Sequence, residues 1–175
     1  IRKALALGGD EAIRINADSN DSYCIAAQIA AVAKENNYDL IFTGKETIDY
    51  NGTQIGGMIA EMMDVAYVTL ASKLDIENGK AVVARDIEGG KEIVEIPLPC
   101  VKEKKKGMAE QRIPNMKGIM GARTKPLKVS DPVNADTLTA IAGFELPPAK
   151  AGVKLVSADT PEELVRLLHE EAKVF

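Results

Sequence analysis

Tryptophan is absent from the 175 residues, and aromatic side chains make up only 4% of them. Platforms for single-stranded nucleic acid stack bases on aromatic rings, so nucleic acid is not the expected partner. Two cysteines, Cys24 and Cys100, and one histidine, His169, are too few and too scattered to build a zinc site. Both thiols read as buried and reduced, as in a cytoplasmic protein. A histidine-dependent hydrolase is an awkward fit, because the one histidine sits near the C-terminus in a polar helical pattern. No run approaches about 18 consecutive apolar residues, so insertion into a membrane is not expected. The sequence does not open on Met, and no secretory signal is expected from its first residues. The opening Ile1-Arg2-Lys3-Ala4-Leu5-Ala6-Leu7-Gly8 reads as the end of a helix stopped by Gly8 or Gly9, so elements are expected to precede it.

What is present has the balance of an ordinary globular chain, 46% apolar and 27% charged. The net charge of -4 conceals an asymmetry. Lys102, Lys104, Lys105, Lys106, Arg112, Lys117, Arg123, Lys125 and Lys128 face only Glu103 and Glu110 between positions 102 and 128, so that segment carries +7 and the remainder -11. It reads either as an attractor for an acidic partner or phosphate, or as a solvated lysine-rich loop.

The order of elements has the rhythm of a parallel α/β sheet. Ala12-Ile13-Arg14-Ile15 reads as a strand. Asp21 or Ser22 caps a helix with Ile25, Ile29, Val32 and Ala33 on one stripe, ended by Asn36-Asn37. Leu40 to Gly44 is a brief buried strand, a polar loop runs from Lys45 to Gly52, and a second helix points Ile55, Ile59, Met62 and Met63 inward. Asn78-Gly79 and Gly89-Gly90 then separate three β-branched runs (Tyr67–Glu77, Lys80–Glu88, Lys91–Pro97), which predicts an antiparallel meander attached to the parallel sheet. Pro99-Cys100-Val101 returns the chain to the core. The expected domains are an α/β domain over 1–128 and a C-terminal arm over 129–175. Lys125 to Pro148 reads as a linker, Gly152 to Val156 as a strand, and Thr160-Pro161-Glu162-Glu163 as a capped helix start.

Two constellations carry chemistry. Gly44 to Gly56 joins the carboxyl end of a strand to the start of a helix, where open α/β sheets gather ligands and free N–H groups favour a phosphate. Gly44 and Gly52 permit close approach of backbone to ligand, and Thr53 and Gln54 can donate hydrogen bonds. Neither a P-loop nor a GxGxxG is present, and a polar surface loop fits the same residues. Glu46 and Asp49 are the one carboxylate pair there, and ordinary loop hydrogen bonding accounts for both. The second constellation is Glu110 to Met120. Its Met116, Ile119 and Met120 share one side of a short helix among basic residues, either as an adaptable docking face or as a plug for the chain's own core.

The whole chain resembles the beta subunit of electron transfer flavoproteins, without the N-terminal portion. The resemblance rests on the opening helix tail, Leu40-Ile41-Phe42-Thr43-Gly44-Lys45-Glu46-Thr47-Ile48-Asp49, Gln54-Ile55-Gly56, Gly89-Gly90 and Pro97-Leu98-Pro99. It continues through Glu110-x-Arg112, Gly118-Ile119-Met120-x-Ala122 with Lys125-Pro126, and Glu170-Glu171-Ala172-Lys173-Val174. It implies a Rossmann-like, adenine nucleotide hydrolase-like domain and a C-terminal helical arm that wraps an alpha subunit. It also implies an electron carrier rather than an enzyme. FAD is then held mainly by the alpha subunit and AMP by the beta subunit, with Gly44, Thr47, Asp49, Tyr50, Gly52, Thr53, Gln54 and Ile55 as nucleotide contacts. Electrons arrive from flavin dehydrogenases of the acyl-CoA dehydrogenase type, as in fatty acid beta-oxidation, and leave to an acceptor such as a quinone reductase. Arg112, Pro114, Met116, Ile119 and Met120 stand at the dehydrogenase-recognition loop, Met116 where the family often has an anchoring leucine. Gly121-Ala122-Arg123-Thr124-Lys125 replaces a lysine run, and Tyr50-Asn51-Gly52 replaces frequent acidic residues. The alternatives are a bifurcating subunit that binds a second FAD and oxidises NADH and, more distantly, an adenine-nucleotide-binding enzyme or sensor of the same fold.

Overall fold

A computed structural model describes residues 1–104, 109–150 and 152–175. Lys105 and Lys106 of the basic run lie outside the described residues. The chain divides into two compact units, Ile1–Ala140 and Ile141–Phe175.

Unit 1 is mixed α/β. After a short helix α1 (Arg2–Ala6) come strand β1 (Ala12–Ile15), helix α2 (Ser22–Glu35), strand β2 (Leu40–Gly44) and helix α3 (Ile55–Met63). The meander follows as β3 (Ala66–Glu77), β4 (Lys80–Ile87) and β5 (Gly90–Pro97). Asn78 and Gly79 both take positive φ, 50° and 77°, in the turn from β3 to β4, as a two-residue hairpin of this hand requires. Strand β6 (Cys100–Lys104) then runs parallel between β2 and β3, giving the five-stranded order β2-β6-β3-β4-β5. The expected meander and return to the core are both present.

Helices α2 and α3 cover one face of the parallel strands. The fully buried residues there are Ala26 and Ala30 of α2, Ile59 and Ala60 of α3, and Val101 of β6. Of the expected stripe Ile25, Ile29, Val32 and Ala33, Ala33 is buried and Ile29 packs against this cluster, while the seam itself is made by Ala26 and Ala30, whose small side chains suit close helix packing. The isoleucines sit at the flank of that seam, half-buried. On the opposite face Val68, Ala71, Ala81, Val83 and Cys100 form a second cluster with the meander. Cys24 and Cys100 are both buried and unpaired.

Several expectations for the second half change. Within the predicted linker, β7 (Leu127–Ser130) pairs in parallel with β1. A four-residue strand between Pro126 and Pro132 is too short to show a period in sequence. Residues 152–156 form no strand, for no ladder partner meets them among the described residues. In unit 2, α5 (Pro161–Arg166) starts on Pro161, but the Thr160 side chain makes no capping bond. A π-helical turn follows over Leu167–Glu171.

Candidate functional site

The loop from Gly44 to Gln54 leaves the carboxyl end of β2 and delivers the chain to the amino end of α3. It is knotted on Thr47: Asn51 N donates to the Thr47 carbonyl (2.9 Å), Thr47 N to the Gly52 carbonyl (3.0 Å), and Gly52 N to Thr47 Oγ1 (3.2 Å). Asn51 completes the turn at φ 52°. Ile48 and Tyr50 project outward, 99% and 56% exposed. Glu46 lies 3.8 Å from Lys45, an exposed pair worth little energetically.

No side chain caps the start of α3. The first intrahelical bond comes from Met58 N to the Gln54 carbonyl, so the N–H groups of Ile55, Gly56 and Gly57 have no acceptor within the helix. Gln54 instead bridges outward: Oε1 accepts from Thr53 N (2.9 Å) and Nε2 donates to Ser22 Oγ (2.9 Å). The amino ends of α2 and α3 are thereby tied side by side. Beneath them, Thr43 Oγ1 is buried without a hydrogen-bond partner among the described residues. A Cβ on Gly56 would come within 2.7 Å of that hydroxyl and 3.0 Å of the Tyr67 hydroxyl, so only glycine lets α3 sit this low on the sheet. Tyr67 donates to Glu103 Oε2 at 2.8 Å. Burial, and secondarily Glu103, push the Tyr67 hydroxyl well above the ordinary tyrosine range.

The structure brings Gly44, Thr47, Asp49, Tyr50, Gly52, Thr53, Gln54 and Ile55 into one loop and helix start. Sequence reasoning missed the supports beneath it, Ser22, Thr43, Tyr67 and Glu103. The one signal for them was the Gly56-Gly57 pair in a helix start, which marks close backbone approach.

The second constellation lies on α4 (Met116–Ala122), whose Asn115 caps it by accepting from Gly118 N at 2.8 Å. A Cβ on Gly118 would collide with the Ala6 carbonyl, so α4 is pressed against α1 through its glycine. Two cations distant in sequence hold the carboxyl ends of these helices and the turns that follow them. Arg2 Nη1 donates to the Ala122 and Lys125 carbonyls (2.7 and 2.9 Å), and Lys125 Nζ donates to the Leu5 and Gly9 carbonyls (3.0 and 2.6 Å). Met116, Ile119 and Met120 are 71%, 43% and 62% exposed, so they do not plug the core of this unit. Arg112 is exposed. Pro114 and Ile119 line an apolar cleft of about 610 Å³ with Ala6 and Ala122.

The basic run is thus not one patch. Lys102 is fully buried, its Nζ 3.4 Å from the Lys73 carbonyl and 5.8 Å from the centre of the Phe42 ring, and burial pulls its pKa down. Lys125 is spent on helix ends, leaving Arg112, Lys117 and Arg123 exposed around α4.

Among the described residues no helix is long and apolar enough to cross a membrane. The family model for the electron transfer flavoprotein domain matches residues 1–134. The electron transfer flavoprotein subunit beta of Syntrophomonas wolfei is 34% identical over 99% of this chain and 69% of its own length. That of Bacillus subtilis is 35% identical over 99% and 73%. Subunit CarD of the caffeyl-CoA reductase-Etf complex of Acetobacterium woodii is 29% identical over 99% and 71%. A family match across most of the chain, with nearly all of it aligned to beta subunits at a third identity, means that this chain belongs to the electron transfer flavoprotein family as a beta subunit.

Proposed function

We propose that this beta subunit holds AMP on the Gly44–Ile55 loop and works as the non-catalytic half of an electron carrier whose FAD is held mainly by an alpha subunit. The observation that supports the nucleotide most directly is the uncapped start of α3 at the carboxyl end of β2, clamped to α2 through Ser22 and Gln54. The residues suit a nucleotide phosphate. The N–H groups of Ile55, Gly56 and Gly57 and the hydroxyl of Thr53 are donors at the positive end of a helix. Gly44 and Gly52 leave room for the ligand, and the buried Thr43 hydroxyl is a polar group in want of a partner below the same turn. Thr47, Asp49 and Tyr50 frame the rim, with the Tyr50 ring exposed for stacking.

FAD, when bound, supplies the redox chemistry, and this chain's own residues bind and orient. Electrons come from flavin dehydrogenases of the acyl-CoA dehydrogenase type and pass to an acceptor such as a quinone reductase. Arg112, Pro114, Met116, Ile119 and Met120 form the dehydrogenase-docking face, supported by the exposure of the α4 methionines beside exposed cations. Residues 129–175 act as the arm that packs on the alpha subunit. In unit 2 this is supported by the exposure of Phe144, Leu146, Val153, Leu155 and Phe175. Two buried, unpaired thiols suit a reducing compartment, and the cytoplasm is the proposed location.

The test is to release and quantify the nucleotides of the chain purified with its alpha subunit. One FAD and one AMP per heterodimer is the expected result. Two FAD without AMP would replace the simple carrier with a bifurcating complex that uses NADH, and no nucleotide would overturn the assignment of the loop.

A further inference from the structure

Residues 131–140 belong to no helix or strand, yet they consume two of the four polar side chains that are buried among the described residues, Asp21 and Gln28. Gln28, 5% exposed, spends its whole amide on a single residue. Its Oε1 accepts from Val133 N at 2.7 Å and its Nε2 donates to the Val133 carbonyl at 2.9 Å, the exchange one strand makes with another. Asp21, 3% exposed, divides its carboxylate: Oδ1 accepts from Cys24 N at 2.8 Å and caps α2, while Oδ2 accepts both Thr139 N (2.9 Å) and Thr139 Oγ1 (2.6 Å).

Asp21 and Gln28 are seven residues apart on α2, about 10 Å along its axis. The six steps from Val133 to Thr139 can reach about 20 Å when extended, so the segment between the anchors carries slack and is held at its two ends. Lifting it off would break four hydrogen bonds, two of them to a carboxylate. It therefore behaves as a strap seated on two prepared polar sockets. One residue past the second socket, at Ala140, unit 1 ends.

We propose that Gln28 and Asp21 latch residues 133–139 onto α2, and that this latch, by fixing the root of unit 2, sets how readily unit 2 captures the alpha subunit. The second half of this statement rests on the proposed role of the arm. With the latch closed, unit 2 hangs from a fixed point next to Thr139. With it open, the nearest fixed point is Ser130 at the end of β7, and nine more residues of leash dilute the arm around its target.

Hydrogen exchange on the full chain, resolved to single amides, tests the latch without the alpha subunit. Val133 and Thr139 are expected to exchange at least about tenfold more slowly than the other amides of 131–140 apart from Leu138, whose N–H also faces the Asp21 carboxylate. Equal rates across the segment would overturn the latch. Gln28→Ala should release the Val133 amide. Thr139→Val removes one bond to Asp21 but spares the α2 cap, and Thr139→Ser should restore the wild-type behaviour. In association kinetics with immobilised alpha subunit, both Gln28→Ala and Thr139→Val are expected to slow binding about three- to tenfold. Faster exchange with an unchanged association rate would overturn the positioning role. A wild-type chain that does not bind alpha subunit would instead sink the proposed role of the arm, and the exchange measurement would still decide the latch.

Discussion

Two glycines decide how closely helices approach their supports. Gly118 has no room for a Cβ against the Ala6 carbonyl, which belongs to backbone and cannot swing away. Gly118→Ala is expected to cost roughly 1–3 kcal/mol by forcing α4 off α1, visible as a lowered thermal midpoint together with loss of the Arg2 and Lys125 caps. Gly56 faces the Thr43 and Tyr67 hydroxyls instead, and its replacement by Ala should lift α3 and weaken nucleotide retention before it unfolds the chain. Asp21 has a titration consequence. The Thr139 hydroxyl, and next the Cys24 N–H, hold its carboxyl below the ordinary aspartate range. A depressed folded pKa contributes stability that is present above the unfolded value, near pH 4, and lost as pH falls through the folded one. Slow exchange of the Thr139 amide should therefore persist at pH 5 and disappear only in more acidic solution. Loss of protection already near pH 6 would show that Asp21 is not its acceptor.

At the scale of elements, each proposed site is a helix start with a glycine or polar support beneath it. The loop before α3 holds itself together through Thr47 and leans on α2 through Gln54. Gln54→Ala removes the bridge to Ser22 without touching the α3 backbone. It is expected to lower AMP affinity roughly tenfold, the scale of one hydrogen bond near a charged ligand, as read by calorimetry on the nucleotide-free complex. An unchanged affinity would leave Gln54 a structural tie only. On α4 the methionines stand clear of the core, so Met116→Ala should leave the stability within about 0.5 kcal/mol of wild type. It should instead slow electron uptake from the partner dehydrogenase in stopped-flow measurements. A large fall in stability with unaltered electron uptake would assign Met116 to packing.

At the scale of the whole molecule, the parallel strands carry the candidate nucleotide site at their carboxyl edge, and the meander encloses Cys100 and Lys102 on the opposite face. Unit 2 exposes a series of large apolar side chains, among them Phe144 at 81% and Leu146 at 94%. Deleting residues 141–175 is expected to abolish co-elution with the alpha subunit in gel filtration. Retained co-elution would move the main alpha contact into unit 1.

Much of this architecture was legible residue by residue. A helix stop at Gly8 or Gly9, a cap at Asp21 or Ser22, Asn78-Gly79 as a hairpin and the β-branched runs around it are set by local backbone preferences, which act over a few residues and read the same in sequence and in space. The loop from Gly44 to Ile55 was legible for the same reason, as a glycine-bounded bridge from a strand to a helix. Long-range contacts made the remaining decisions. Whether Lys102 and Lys125 are solvated or buried, whether Ile25 or Ala26 faces the core, and whether Val133 lies in a free linker or in the grip of Gln28 depend on partners up to 120 positions away. Burial and hydrogen-bond satisfaction are settled between elements, so only the tertiary structure chose which cations cap helices, which face of α4 stays bare and where the strap is tied.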